Sequence, residues 1–96
     1  MTETVERFIV TGIVQGVFYR KWTKATADGL GLRGFVRNRS DGSVEAVLAG
    51  DQSRLDAFAE AARAGPDAAA VESVARSPAD RSDVDGYERA EIADDA

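Results

Sequence analysis

An α+β sandwich of order βαββαβ, closed by a short extra terminal strand, is the fold this sequence predicts, and three observations predict it. Apolar residues alternate from Phe8 to Val14, the period-two pattern of a half-buried strand, and two further strand-like runs flank the Asp41-Gly42 turn signal. Two other stretches, 18–30 and 51–64, carry the three- and four-residue spacing of amphipathic helices. Glycine, proline and Asn/Asp residues punctuate the chain where one period gives way to the other.

In order, Val5 to Val14 reads as a first strand, with Phe8 and Val10 expected to face the helices. A helix follows from about Phe18 to Leu30, its stripe formed by Tyr19, Trp22, Thr23, Thr26, Ala27 and Leu30, with Gly29 and Gly31 as stop signals. Arg33 to Arg39 and Ser43 to Leu48 form a hairpin across Asn38-Arg39-Ser40-Asp41-Gly42. Taken alone, Asn38 reads as a turn residue, since asparagine tolerates left-handed backbone. Asp51 is placed to cap a second helix running to about Ala64, where Leu55, Phe58, Ala59 and Ala62 recur at helical steps and Gly65-Pro66 ends it. Ala69 to Arg76 fits a fourth strand, Ser77 to Gly86 an acidic loop, Tyr87 to Ile92 a short last strand, and Asp94-Asp95-Ala96 a frayed tail. Two helices on one face of a mainly antiparallel sheet make a ferredoxin-like sandwich, a plan that by itself assigns no activity.

The 96 residues are expected to form one domain, residues 1–96 with a core of about 5–92, that buries between about 60 and 70% of its unfolded surface. Histidine and cysteine are both absent, which excludes imidazole acid–base catalysis, His-ligated zinc, thiolate chemistry and disulfides. Asp80, Asp83 and Asp85 read as solvated loop charge rather than a metal site. The N-terminus is polar and no apolar run approaches a membrane span, so a cytoplasmic protein without membrane contact is expected. Lysine is scarce and aspartate abundant, a bias that suits a salt-rich cell interior and equally a composition-biased genome.

The formal charge of −5 is uneven. Between Gln15 and Arg39 six basic residues (Arg20, Lys21, Lys24, Arg33, Arg37 and Arg39) face Asp28 alone, a local +5 that leaves −10 elsewhere. Such a region can attract a small anion while the acidic remainder repels nucleic acid. Within it, Gly12-Ile13-Val14-Gln15-Gly16-Val17-Phe18-Tyr19-Arg20 places a glycine turn between a strand end and a helix start. Amides at a helix N-terminus lack intrahelical partners, and successive amides in a turn can converge on a phosphate. Gly16 lets the backbone curl and approach a ligand, and Arg20 offers a planar cationic fork. A plain connection with a solvated arginine accounts for the same residues.

The run Val10 to Arg20 closely resembles the first signature of the acylphosphatase family, and Gly34-Phe35-Val36-Arg37-Asn38, with Gly42, Val44 and Gly50 at the family spacing, resembles the second. The resemblance covers about residues 5 to 92. One departure is Tyr19 where the family commonly has phenylalanine, which adds a hydroxyl that needs a partner if buried. The resemblance implies a metal-independent, cofactor-free acylphosphatase acting on small acyl phosphates. It implies that the amides of Gln15, Gly16, Val17, Phe18, Tyr19 and Arg20, with the Arg20 guanidinium, hold the phosphate, while Asn38 orients the attacking water. For Asn38 to reach that loop, the second strand is expected to lie beside the first.

Such a reaction is chemically accessible to this composition. An acyl phosphate expels a carboxylate whose conjugate acid has a pKa of about 4, so no proton need be donated at neutral pH. Two other readings stand beside it: a non-catalytic anion-binding or regulatory module on the same fold, and a single-stranded nucleic-acid binder, which the negative charge disfavours. Phe8, Phe18, Tyr19, Trp22 and Phe58 are mostly assigned to the core. A monomer is expected.

Overall fold

The computed structural model describes residues 3–95; Met1, Thr2 and Ala96, the outer ends of the polar N-terminus and of the expected tail, lie outside them. The elements are β1 (Thr4–Ile13), α1 (Tyr19–Gly29), β2 (Arg33–Asn38), β3 (Val44–Gly50), α2 (Gln52–Ala62), β4 (Ala70–Pro78), a single 3₁₀ turn (Arg81–Val84) and β5 (Ala90–Ile92). The βαββαβ order with a short final strand is borne out, and the helices pack on one face of the sheet.

The strand order is β4-β1-β3-β2-β5. All pairs are antiparallel except β2 with β5, which are parallel. This corrects one expectation, because β2 does not lie beside β1: β3 separates them. A helical crossover cannot join adjacent strands as tightly as a hairpin does, and α1 carries the chain past one strand position that β3 then fills. Since β1 and β2 are each antiparallel to β3, they run the same way and end at the same edge of the sheet. That parallelism, rather than adjacency, brings the C-terminal end of β2 to the loop that follows β1.

The main core lies between sheet and helices. Phe8 and Phe58 are fully buried and meet edge to face, with ring centroids 5.0 Å apart. Truncating a ring of this kind to alanine costs about 3–5 kcal/mol. Trp22 is half-buried and its ring lies 5.3 Å from Tyr19 and 6.4 Å from Phe58, so it packs against the core rather than standing clear as a stacking platform. A second cluster, Val5, Val47, Ala49 and Val84, covers the opposite face. Val84 comes from the acidic stretch expected to be an open loop. There Asp80 and Asp83 form a reciprocal capping box at the N-terminal end of the 3₁₀ turn, so their charge serves local structure, and Val84 in that turn is buried completely. Buried on both faces, β3 reads as a continuous rather than alternating run.

Three local expectations change. Asn38 is the last residue of β2, paired with Val44, and not a turn residue. Asp51 stands at the N-cap of α2, but its side chain makes no capping hydrogen bond. Phe18, assigned to the core, is 77% exposed, because it precedes α1 in a left-handed conformation (φ 65°) that turns its side chain away from the buried stripe.

Candidate active site

The site begins with a defect in β1. Register shifts between Thr11 and Gly12 where β1 pairs with β4, and Gly12 takes φ 121° at a point where a β-carbon would collide with the Ala70 carbonyl, so only glycine fits. Beyond it the chain curls through Gly16 (φ 76°) and Phe18 (φ 65°) into α1. A side chain at Gly16 would meet no protein atom, so what glycine supplies is the left-handed backbone and an unobstructed inner face. The Phe18 carbonyl accepts from Trp22 N at 3.0 Å, which starts the helix, yet Phe18 provides no side-chain cap. Among the described residues, the backbone N–H groups of Gly16 through Lys21 donate to no other backbone carbonyl, the usual state of a helix N-terminus that has donors left over.

Two side chains hold this loop in shape. Tyr19 is buried, and its hydroxyl donates to the Ala62 carbonyl at 2.7 Å, which answers the need created by a phenol where the family has phenylalanine. Burial pushes its pKa well above the ordinary phenol range, so the donor keeps its proton at any physiological pH. Gln15 Nε2 donates to the carbonyls of Arg39, at 2.8 Å, and Ser43, at 2.9 Å, tying the loop to the β2–β3 turn.

Between the loop, the end of β2 and β5 lies a cavity of about 320 Å³ lined by Val14, Gly16, Phe18, Tyr19, Arg20, Lys21, Asn38 and Ile92. Of the residues expected in the site, Gly16, Phe18, Tyr19, Arg20 and Asn38 thus line one cavity. Gln15 and Val17 do not line it: Gln15 braces the loop from outside, and Val17 packs toward the core. Asn38 Oδ1 is buried with no hydrogen-bond partner among the described residues. An unpaired buried acceptor of this sort costs about 1–3 kcal/mol, the mark of a group held ready for something other than folding.

The tail expected to fray contributes directly. Asp95 Oδ1 accepts from Arg20 Nη1 at 3.1 Å and from Asn38 N at 3.3 Å. A carboxylate oxygen therefore already engages the two elements that meet at this cavity. Lys21, which the sequence marked only as part of the basic region, and Ile92, for which neither spacing nor composition carried a signal, also line the cavity.

The broad positive region is largely neutralised. Lys24 pairs with Asp28, Arg33 with Glu3, Arg37 with Glu45 and Arg39 with Asp41, which leaves Arg20, held by Asp95, and Lys21 facing the cavity. Among the described residues Lys21 alone of the six has no carboxylate within 4.0 Å. No cluster of three or more carboxylates that could hold a metal occurs among the described residues, and no described helix is long and apolar enough to cross a membrane.

Known proteins are similar to this chain in sequence and in fold. A sequence model of the acylphosphatase family matches residues 6–89. An acylphosphatase of Rhodopseudomonas palustris is 49% identical over 74 residues, covering 77% of this chain and 75% of that protein. An acylphosphatase of Albidiferax ferrireducens is 50% identical over 74 residues, covering 77% of this chain and 80% of its own length. The crystal structure of acylphosphatase from Bacillus subtilis superposes with a TM-score of 0.86 at 33% identity, covering 96% of this chain and 99% of that one. With the signature loop curled over a cavity that its arginine and asparagine share, the chain belongs to the acylphosphatase family.

Proposed function

We propose that this acylphosphatase hydrolyses the carboxyl–phosphate bond of small acyl phosphates to carboxylate and inorganic phosphate, without metal or cofactor. The Arg20 guanidinium and the amides of the Gln15–Arg20 loop hold the phosphoryl group. Asn38 orients a water in line behind phosphorus. The single observation that carries this reading is that Asn38, whose Oδ1 is buried and unpaired among the described residues, lines the same cavity as Arg20.

The chemistry needs little more than position and charge. Phosphoryl transfer through a loose transition state is accelerated by alignment and by neutralising the equatorial oxygens, tasks suited to a guanidinium and a nest of amides. The P–O bond to the acyl oxygen breaks as the water oxygen bonds to phosphorus, and the carboxylate leaves as an anion. An amide is too weak a base to deprotonate water, so a phosphate oxygen of the substrate accepts the proton. Asn38 is then a positioning group for water, and the absence of histidine carries no penalty.

Residues 5–92 act in this reading as one domain and a cytoplasmic monomer, with a small molecule as partner and no nucleic acid; the net charge of −5 supports the last point. The test is release of inorganic phosphate from acetyl phosphate in the presence of a chelator, with a phosphate monoester as control. Release from the acyl phosphate alone is expected. Phosphate binding without turnover would establish the non-catalytic anion-binding module instead.

A further inference from the structure

We propose that Arg7 and Arg37 form a second anion site, on the face of the sheet away from the helices, that takes a diphosphate group. Glu45 stands between them on β3, directly opposite Arg37 on β2 and one row from Arg7 on β1, which pairs with Val47. Residues 45 and 47 share a face, and Val47 belongs to the cluster on the side away from the helices. Both guanidiniums and the carboxylate therefore meet on that side.

Glu45 orients the two arginines without using them up. Each of its oxygens accepts one Nε–H, from Arg37 at 2.6 Å and from Arg7 at 2.7 Å. Among the described residues, no acceptor engages the Nη groups of either arginine. A guanidinium carries five N–H donors, so the Nη pairs remain for a ligand. Both arginine side chains are 36% exposed, whereas Glu45 is nearly enclosed. Two cations against one carboxylate leave a local charge of +1 on a chain whose formal charge is −5. Besides its Nε bond, Arg37 lies over the Phe35 ring, with Cζ 5.4 Å from the centroid. A fork ordered in advance loses little freedom when it binds.

Shape and charge select the occupant. The end of a guanidinium matches two oxygens of one phosphoryl group. Glu45 holds the two forks apart, so two phosphoryl groups joined through one oxygen fit them better than a single one does. An aromatic ligand finds no stacking surface, because Phe35 is covered by Arg37 and flanked by Tyr87, whose ring centroid lies 5.6 Å away. Asn38, the next residue of β2, lines the Arg20 cavity instead, so the two sites are separate.

The test titrates nitrogen-labelled Arg20→Ala protein with inorganic diphosphate and follows its arginine Nε–H and amide signals by NMR. That background lacks the guanidinium of the loop site; the unaltered protein should add a second set of shifts at residues 16–21. Saturable shifts of the Arg7 and Arg37 signals are expected, with diphosphate at least about tenfold tighter than monophosphate at equal ionic strength. Arg7→Lys and Arg37→Lys each keep a cation beside Glu45, which preserves the fold, but remove the fork. Each is expected to weaken diphosphate binding about fivefold or more. Unmoved Arg7 and Arg37 signals, shifts that grow without saturating, or unchanged affinity in the lysine variants overturns the site. So does tighter binding of a single-stranded oligonucleotide at the same residues, which would assign this face to nucleic acid.

Discussion

Asp95 Oδ1 lies 3.1 Å from Nη1 of Arg20, although 75 positions separate the two residues. The same oxygen also accepts from Asn38 N, so the end of the chain bridges the start of α1 and the end of β2. A phosphate entering the loop must share or displace this carboxylate, which carries the same sign of charge. Removing the charge by Asp95→Asn is expected to lower KM for an acyl phosphate and the inhibition constant for inorganic phosphate together, by about two- to fivefold. Both partners are partly exposed, and such pairs contribute at most about 1 kcal/mol. Steady-state kinetics with phosphate as inhibitor measures both constants, and unchanged values would mean that the pair opposes nothing.

Arg20 and Asn38 line one cavity but are expected to fail differently. Arg20→Ala removes the charge that holds the phosphoryl group in both ground and transition states, so phosphate binding and hydrolysis should be lost together. Asn38→Ala removes a group that acts on water, so turnover should fall by at least about 10²-fold with phosphate affinity largely kept. Calorimetric titration with inorganic phosphate, beside single-turnover hydrolysis, separates the two. Full turnover in Asn38→Ala would remove asparagine from the mechanism.

The contrast between these residues and their neighbours shows what sequence can carry. Periodicity located β1 and both helices, since each buries one face and burial leaves a pattern in the residue types, while the Asp41-Gly42 turn signal located the hairpin, whose β3 is buried on both faces. Sheet order left no such pattern: the placement of β2 beside β1 was a neighbour assumption, and the strand that intervenes comes later in the chain. Phe18 misled for a related reason, because helical spacing describes side-chain directions only after the helix has begun, and its left-handed backbone lies one residue before that. The positive region was overestimated because its neutralising partners, such as Glu3 for Arg33 and Glu45 for Arg37, lie outside the stretch. Arg20 and Asn38 were legible through the resemblance of their flanking motifs, whereas Asp95 sits in a tail whose local residues specify nothing.

Tyr19 joins the loop to α2 through its hydroxyl bond to Ala62. Tyr19→Phe would leave that carbonyl, at the end of α2, without its donor, at a cost of about 1–2 kcal/mol. In a domain of this size such a loss lowers Tm by several degrees, which calorimetry detects. The pH dependence follows from the raised phenol pKa. A neutral form favoured by folding contributes stability that is complete below the ordinary phenol value of 10.0 and is lost as pH rises beyond it. The unaltered protein should therefore lose stability above about pH 10 more steeply than Tyr19→Phe. Parallel curves for the two proteins would contradict the burial of this hydroxyl.

Glu45 tests the other face of the sheet. Its side chain is 7% exposed, and its two oxygens accept from Arg37 Nε at 2.6 Å and from Arg7 Nε at 2.7 Å. Burial alone would raise its pKa, but the Arg37 and Arg7 hydrogen bonds outweigh that and hold the carboxyl below its ordinary value of 4.5. A carboxyl whose folded pKa is depressed adds stability that is present above the unfolded value and disappears as pH falls through the folded one. Glu45→Gln should accordingly destabilise the protein at pH 7. The cost should be about 1–2 kcal/mol rather than the larger penalty of a fully enclosed pair, because both arginines reach solvent. The gap should begin to narrow as pH falls past 4.5 and close only below the depressed folded value, where the unaltered side chain is protonated in the folded protein and resembles glutamine. Urea unfolding of both proteins at neutral pH and at successive steps below the ordinary glutamate value reads the gap directly. A gap that stays constant down to the acid end would show that the ion pairs contribute nothing to it and that only the shape of the side chain matters.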